Sequence, residues 1–259
     1  MEKDAWNPKQ YEKFKNERSQ PFFDLLELLE QSESPRIVDL GCGTGELTKV
    51  LHERFPSATT TGIDSSPEML QKASTCAKAN LNFELADIEK WSAPGSFDII
   101  LSNAALQWCS NHRQLFAKIK ESLRADGQIG IQMPMNHDYP THVLAYKMAG
   151  EDPWRFRLKE EKREQQKTML TIEEYAKLLF DLGFKQQKVT LKIYGHILES
   201  REGVIEWVKG TLLTYFKSRL SEEHCQEFVS EFRNRLFEEL PNDRPFFYPF
   251  KRTLLWGRI

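Results

Sequence analysis

The chain has 259 residues, 40% of them hydrophobic and 29% charged, which is an ordinary globular composition and excludes disorder as the default. Its net charge of −2 excludes a whole-molecule attraction to nucleic acid or to an anionic membrane. The length suits one domain with a large insertion, or a core with a small cap.

In chain order, residues 36 to 134 alternate two kinds of pattern. Arg36 to Leu40 is a short β-branched run that ends at Gly41. Glu46 to Phe55 has Leu47, Val50 and Leu51 on one face and predicts a helix. Thr59 to Asp64 predicts a second strand, and Pro67 suits the first turn of the helix after it. Asn82 to Leu85 and Phe97 to Ser102 are further strands; Asn111 to Leu123 is a helix and Gln128 to Met133 another strand. Such alternation predicts an α/β fold, a mostly parallel sheet covered by helices on both faces.

Beyond residue 134 the pattern changes. Residues 150 to 167 are mostly charged, with few apolar anchors, and suggest a solvated helix face or a mobile loop. Thr171 to Glu174 matches a capping box, opening a helix that Gly183 can end. Lys188 to His196 alternates as a strand does; 203 to 216 and 221 to 240 are helical. Phe228, Phe232 and Leu236 recur every four residues, a stripe that predicts core packing. Thr253 to Trp256 is the last strand. The expected organisation is a helical lid over 1–35, a core over 36–134, a cap with remaining core elements over 135–250, and a closing strand over 251–259.

Four cysteines, Cys42, Cys76, Cys109 and Cys225, are widely spread without a C-x-x-C pair, so neither a metal site nor a redox motif is expected. No run of about 18 apolar residues could span a bilayer. The charged start at Met1 to Asp4 does not resemble a secretory signal. The expectation is a cytoplasmic protein with reduced thiols. Oligomeric state is open, with a monomer as the working case.

The strongest signal is Asp39-Leu40-Gly41-Cys42-Gly43-Thr44-Gly45, between a strand and a helix. Alternate glycines let the backbone turn tightly and approach a ligand, and the helix start presents free N–H groups and a positive dipole end. Dinucleotide enzymes need a further glycine three residues after the second. Here that position is Glu46, which argues against a nicotinamide oxidoreductase. Asp39 suits a ligand that ends in a charged amine. Asp64, 19 residues after Gly45, can accept from two ribose hydroxyls; alone it would read as a strand-end turn. Asp87 can accept from an adenine amino group while Ile88 packs on the ring, although a plain loop cap explains Asp87 nearly as well.

In this order, these pieces resemble the S-adenosylmethionine (SAM) motifs of class I methyltransferases, which implies a Rossmann-like sheet with an N-terminal helical segment and a C-terminal helical cap. SAM is then the cofactor and S-adenosylhomocysteine the product. The resemblance implies cofactor contacts from Asp39, Gly41, Cys42, Gly43, Gly45, Asp64, Ser65, Met69, Asp87, Ile88 and Asn103. Further stretches resemble the trans-aconitate 2-methyltransferase family: Trp6-Asn7-Pro8, Tyr11, Glu17-Arg18-Ser19, Ser102 to Trp108, Gln132-Met133-Pro134, Pro140 to Leu144, and Glu206-Trp207-Val208 before Gly210-Thr211. That family methylates a carboxylate oxygen of a small polycarboxylic acid.

Ser102 to Cys109 also resembles the malonyl acyl-carrier-protein methyltransferases of biotin synthesis, so an acyl-carrier-protein thioester is the alternative partner. Both resemblances imply carboxyl O-methylation. An arginine fork is the natural clamp for a carboxylate, and Leu212 to Phe216 contains none. Arg18 is therefore one candidate to hold a carboxylate, with Gln107 as a donor and Trp108 as a pocket wall or a core residue. His112, His137 and His142, with no carboxylate pattern nearby, read as polar loop residues. A SAM-binding module without catalysis is the remaining rival. A nucleic-acid methyltransferase fits poorly, since the fourth-strand loop lacks an Asn-Pro-Pro-Tyr platform and there is no basic excess.

Overall fold

The computed structural model describes residues 15–158 and 169–259, with side chains from residue 19 onward. The elements are α1 (Lys15–Leu28), β1 (Arg36–Leu40), α2 (Glu46–Arg54), β2 (Thr59–Asp64), α3 (Pro67–Ala73), β3 (Leu81–Leu85), β4 (Phe97–Asn103), α4 (His112–Glu121) and β5 (Leu123–Pro134). There follow α5 (Pro140–Ala149), α6 (Trp154–Arg157), α7 (Ile172–Asp181), β6 (Gln186–Leu198), α8 (Glu202–Lys209), α9 (Leu212–Lys217), α10 (Glu222–Glu239) and β7 (Phe246–Arg258). Seven strands form one sheet in the order β3-β2-β1-β4-β5-β7-β6. β1 to β5 pair in parallel, whereas β7 runs antiparallel to β5.

The chain divides into two units: Gln20–Pro134, Gln166–Lys192 and Arg252–Ile259 in one; Met1–Ser19, Met135–Gln165 and Ile193–Lys251 in the other. In the first unit the central strands are apolar on both faces, as parallel strands covered by helices must be. Ile37, Ile99, Leu101, Leu254 and Trp256 meet Phe22, Leu25 and Leu26 of α1 and Leu51 of α2. On the opposite face Val38, Leu40, Ile100, Ile129 and Ile131 meet Leu115, Phe116 and Ile119 of α4 and Tyr175 and Leu178 of α7. The chain just after α1 is tied to the sheet by the Gln128 amide. Its Oε1 accepts from the Glu30 N–H and from Trp256 Nε1, both at 2.9 Å, and its Nε2 donates to the Glu30 carbonyl at 2.8 Å.

The second unit is built around aromatic side chains. The stripe on α10 is fully buried, with Phe228, Phe232 and Leu236 each 0% exposed. Phe228 stacks on Phe216 at 4.8 Å and meets the edge of Trp154 at 5.0 Å.

Two sequence expectations change here. The start of the charged segment, 150–158, is neither a solvated face nor a loose loop: Trp154 is buried and donates from Nε1 to Glu231 at 2.8 Å, and Leu158 is buried beside it in the same core. Residues 159–168 lie outside the described residues. The helix expected over 203–216 is two helices, α8 and α9, parted at Gly210 and Thr211; glycine is a common helix terminator. Thr171 forms both halves of the expected capping box with Glu174, and Gly183 follows α7 at φ +84°. Among the described residues no helix is long and apolar enough to cross a membrane, and no group of three or more His, Cys, Asp or Glu could hold a metal ion.

Candidate active site

The carboxyl ends of β1, β2, β3 and β4 gather most of the residues singled out from sequence, at the edge where open α/β sheets bind ligands. The chain leaves β1 through Gly41 and Cys42, whose N–H groups both donate to the Ile63 carbonyl, at 2.8 and 2.9 Å. Gly41 has φ +82°, and a Cβ there would lie 2.2 Å from the Ala105 methyl group, so this residue must be glycine. Gly43 has φ +54° but a Cβ there would meet nothing within 4 Å: its backbone faces open space, as a ligand cradle requires. Gly45 precedes α2 in a left-handed conformation. Cys42 is buried, and burial pushes its thiol well above the ordinary range, so it is no nucleophile.

Asp64 is locked to this turn. Its Oδ2 accepts from the Gly43 N–H and its Oδ1 from the Ser66 N–H, both at 2.9 Å. A carboxylate has roughly four lone-pair positions, so each oxygen keeps one for a ligand. Ser65 is exposed beside it; Ser66 caps α3 by accepting from the Met69 N–H, and Met69 is half-buried. The Asp64 carbonyl accepts from the Ala86 N–H at 3.0 Å, which fixes the Asp87 loop next to it. Asp87 acts as a loop cap, accepting from the Glu89 N–H at 3.0 Å and pairing with exposed Lys90 at 3.1 Å. Ile88 reaches the glycine turn, with its Cδ1 3.5 Å from where a Gly41 Cβ would be.

Asp39 lies beneath the turn, 3% exposed, and its Oδ2 accepts from the Thr48 hydroxyl at 2.6 Å. Burial pushes its carboxyl up to about 7; the Thr48 hydrogen bond opposes this and the neighbouring Asp64 charge adds to it.

At the end of β4, Ala104 has φ +54°, unusual for a residue with a Cβ, and a short 3-10 turn follows over Leu106–Trp108. Asn103 Oδ1 is buried without a hydrogen-bond partner. Gln107 donates from Nε2 to the Ala104 carbonyl at 2.7 Å, which leaves its buried Oε1 without a partner. Gln107 therefore offers a ligand an acceptor first, rather than the donor suggested by sequence. Trp108 is 65% exposed, so it is not a core residue. Arg18 belongs to α1, but its side chain lies outside the described residues, as does Tyr11 altogether.

The histidines correct the sequence picture. His112 opens α4 and is buried; its ring nitrogens contact the Leu106 carbonyl at 3.0 Å and the Tyr175 hydroxyl at 2.6 Å. It is a clamp on the β4 loop rather than a loop residue, and burial lowers its pKa and keeps it neutral. His142 is half-buried on α5, with burial lowering its pKa to about 4. Of the three, only His137 lies in an exposed loop.

Open backbone at Gly43, outward lone pairs on Asp64 and buried oxygens awaiting donors at Asn103 and Gln107 fit a ligand with a diol and an amine, as SAM has. Comparison with known proteins agrees. A family model described as a methyltransferase domain matches residues 37–127. A trans-aconitate 2-methyltransferase from Deinococcus radiodurans is 41% identical over 256 residues, covering 96% of each chain. One from Mycobacterium sp. (strain KMS) is 36% identical over 255 residues, covering 98% of this chain and 99% of that one.

The chain belongs to the trans-aconitate 2-methyltransferase family.

As a member of that family it is a SAM-dependent methyltransferase of class I. Solved structures share the fold at low identity. The YcgJ protein of Bacillus subtilis superposes with a TM-score of 0.61 at 15% identity, covering 92% of this chain and 97% of that one. Phosphoethanolamine N-methyltransferase 2 of Haemonchus contortus, solved with SAM, gives 0.54 at 17%, covering 93% and 52%.

In this methyltransferase Gln132 on β5, met in the sequence only within the family stretch Gln132-Met133-Pro134 and given no site role there, is 1% exposed with neither amide atom hydrogen-bonded. Its signal was available: a glutamine inside the apolar run Ile129 to Met133, where long polar side chains are uncommon.

Proposed function

We propose that this chain methylates a carboxylate oxygen of a small organic acid of the trans-aconitate type. The observation that carries this reading is the 41% identity, over 96% of both chains, to a relative named for that activity. The backbone of Gly41, Cys42, Gly43 and Gly45 cradles the cofactor, Asp64 and Ser65 face its ribose, and Asp87, Ile88 and Met69 bound the adenine. Asp39 and Asn103 lie toward the amine end. When bound, SAM supplies an electrophilic methyl group on a sulfonium centre. The acceptor needs no general base, because a carboxylic acid with a reference pKa of about 4 is already ionised at pH 7. Its oxygen attacks with its own lone pair and no proton has to leave. What the chain's residues contribute is alignment, worth about 7–11 kcal/mol when complete. Trp108 and Arg18 are the proposed contributors on the acceptor side; Gln107, expected there from sequence as a donor, has its Nε2 engaged by the Ala104 carbonyl and offers Oε1, which suits the amine end.

The test is mass spectrometry of products after incubation with SAM and free carboxylic acids, trans-aconitate among them, and separately with malonyl-carrier protein. A methyl group on trans-aconitate that mild alkali removes is the expected product. Transfer to malonyl-carrier protein alone would move the assignment to that acceptor; an alkali-stable methyl group would exclude an ester.

A further inference from the structure

We infer that Gln132 is an acceptor-binding residue whose side-chain amide donates to the carboxylate that receives the methyl group. The inference rests on the carboxyl-methylation reading above and adds a residue and a bonding pattern to it.

A buried amide atom left unpaired costs about 1–3 kcal/mol, and native proteins leave few of them. Gln132 leaves both, Nε2 and Oε1. Gln128, four residues earlier on the same face of β5, shows the ordinary outcome, with both amide atoms engaged. What separates the two is position. Gln128 stands near the start of the parallel pairing with β4, whereas Gln132 stands at its carboxyl end, the ligand-binding end of such sheets. Its partner in register on β4 is Asn103, whose side chain takes the same face and whose Oδ1 also has no partner. Gln107 Oε1, in the turn just after β4, is a third such atom. Three amides with unmatched buried atoms, from adjacent strand ends and the loop between them, constitute a polar site that awaits a ligand.

The atom types divide the work. Asn103 and Gln107 present oxygens, which repel a carboxylate and suit an ammonium group. Gln132 adds a donor nitrogen, which suits a carboxylate. A neutral donor is apt for the reacting group, because it orients the oxygen without neutralising the charge that makes it nucleophilic, as a guanidinium would. Gln132 Oε1 remains for a water or a donor on the acceptor.

The experiment uses the full chain and compares Gln132→Met, similar in volume but without a donor, with Gln132→Glu. Steady-state kinetics with trans-aconitate are read beside SAM affinity by calorimetry and thermal melting. Gln132→Met is expected to lower kcat/KM for the acceptor roughly 10- to 150-fold, mainly through KM, as loss of a hydrogen bond to a charged group does, with SAM affinity within about two-fold. Gln132→Glu is expected to lose more at pH 8 and to recover toward pH 6, since a buried carboxyl has a raised pKa and becomes a donor when protonated. An unchanged acceptor KM in Gln132→Met would overturn the inference, as would a parallel loss of SAM affinity. Should Gln132→Met not fold, the acid recovery of Gln132→Glu decides: its absence overturns the inference. Failure of the parent chain to methylate any carboxylic acid would instead sink the carboxyl reading and this inference with it.

Discussion

Asp64 holds the glycine turn and the start of α3 through the Gly43 and Ser66 N–H groups, and the same carboxylate has capacity left for a diol. Asp64→Ala is therefore expected to weaken SAM binding by at least about 100-fold, the loss of two hydrogen bonds to a charged group, as read by calorimetry. Unchanged affinity would remove Asp64 from the ribose site. Asp39 carries a pH signature. Its carboxyl is raised from an ordinary 3.8 to about 7, so between those values the native state holds a proton that the unfolded chain has released. Its contribution to stability is thus full below about pH 4 and is lost as pH rises through 7. Asn at this position cannot ionise, so Asp39→Asn is expected to remove that slope and to be more stable than the parent at pH 8 in urea unfolding. A steeper loss toward alkali in the variant would contradict this. His112 has the opposite sign: its lowered pKa means stability lost as pH falls below about 6.5. Asp39, Asp64 and Asp87 stand out in the sequence through their spacing along the chain, but that Asp64 holds the glycine turn and Asp87 caps its own loop is visible only in the fold. Gln132 is conspicuous in the sequence as a glutamine in an apolar run, but its unpaired amide is not, because a missing partner is a property of the folded surroundings.

At the scale of elements, local chemistry wrote its message plainly wherever one segment decides the outcome. Thr171 accepts from the Glu174 N–H at 3.2 Å and the Thr171 N–H donates to the Glu174 carboxylate at 2.9 Å. Thr171→Ala should cost about 1 kcal/mol of stability in denaturant unfolding, and no change would show that the cap is redundant. The Phe228–Phe232–Leu236 stripe was equally legible, and Phe228→Ala should cost roughly 3–5 kcal/mol by the same measurement. The central strands β1, β4 and β5 were readable because burial on both faces forces apolar runs. Segments decided by tertiary partners were not. The charged stretch from residue 150 hides Trp154, whose anchor is Glu231 on a helix far along the chain. The positive φ of Ala104, which swings the β4 loop toward the glycine turn, leaves no trace in a sequence that reads Asn-Ala-Ala-Leu.

For the whole molecule, the order of strands gives the site its character. β1 and β4 are neighbours although β2 and β3 intervene in sequence, so the glycine turn and the Asn103 loop emerge side by side. Cofactor grip and acceptor contacts can then be built from adjacent strand ends, and the sheet unit supplies both the cradle and the unmatched amides. The fold class and the family were legible from a single chain; the cluster of unmatched amides at Asn103, Gln107 and Gln132 was not, because it comes from strand ends that only the sheet assembles. Carboxyl methylation is tested most directly by product analysis of the full chain with SAM and trans-aconitate. The expected product is an alkali-labile methyl ester formed together with S-adenosylhomocysteine. A chain that binds no SAM, or that binds it and methylates no carboxylic acid, would contradict that chemistry.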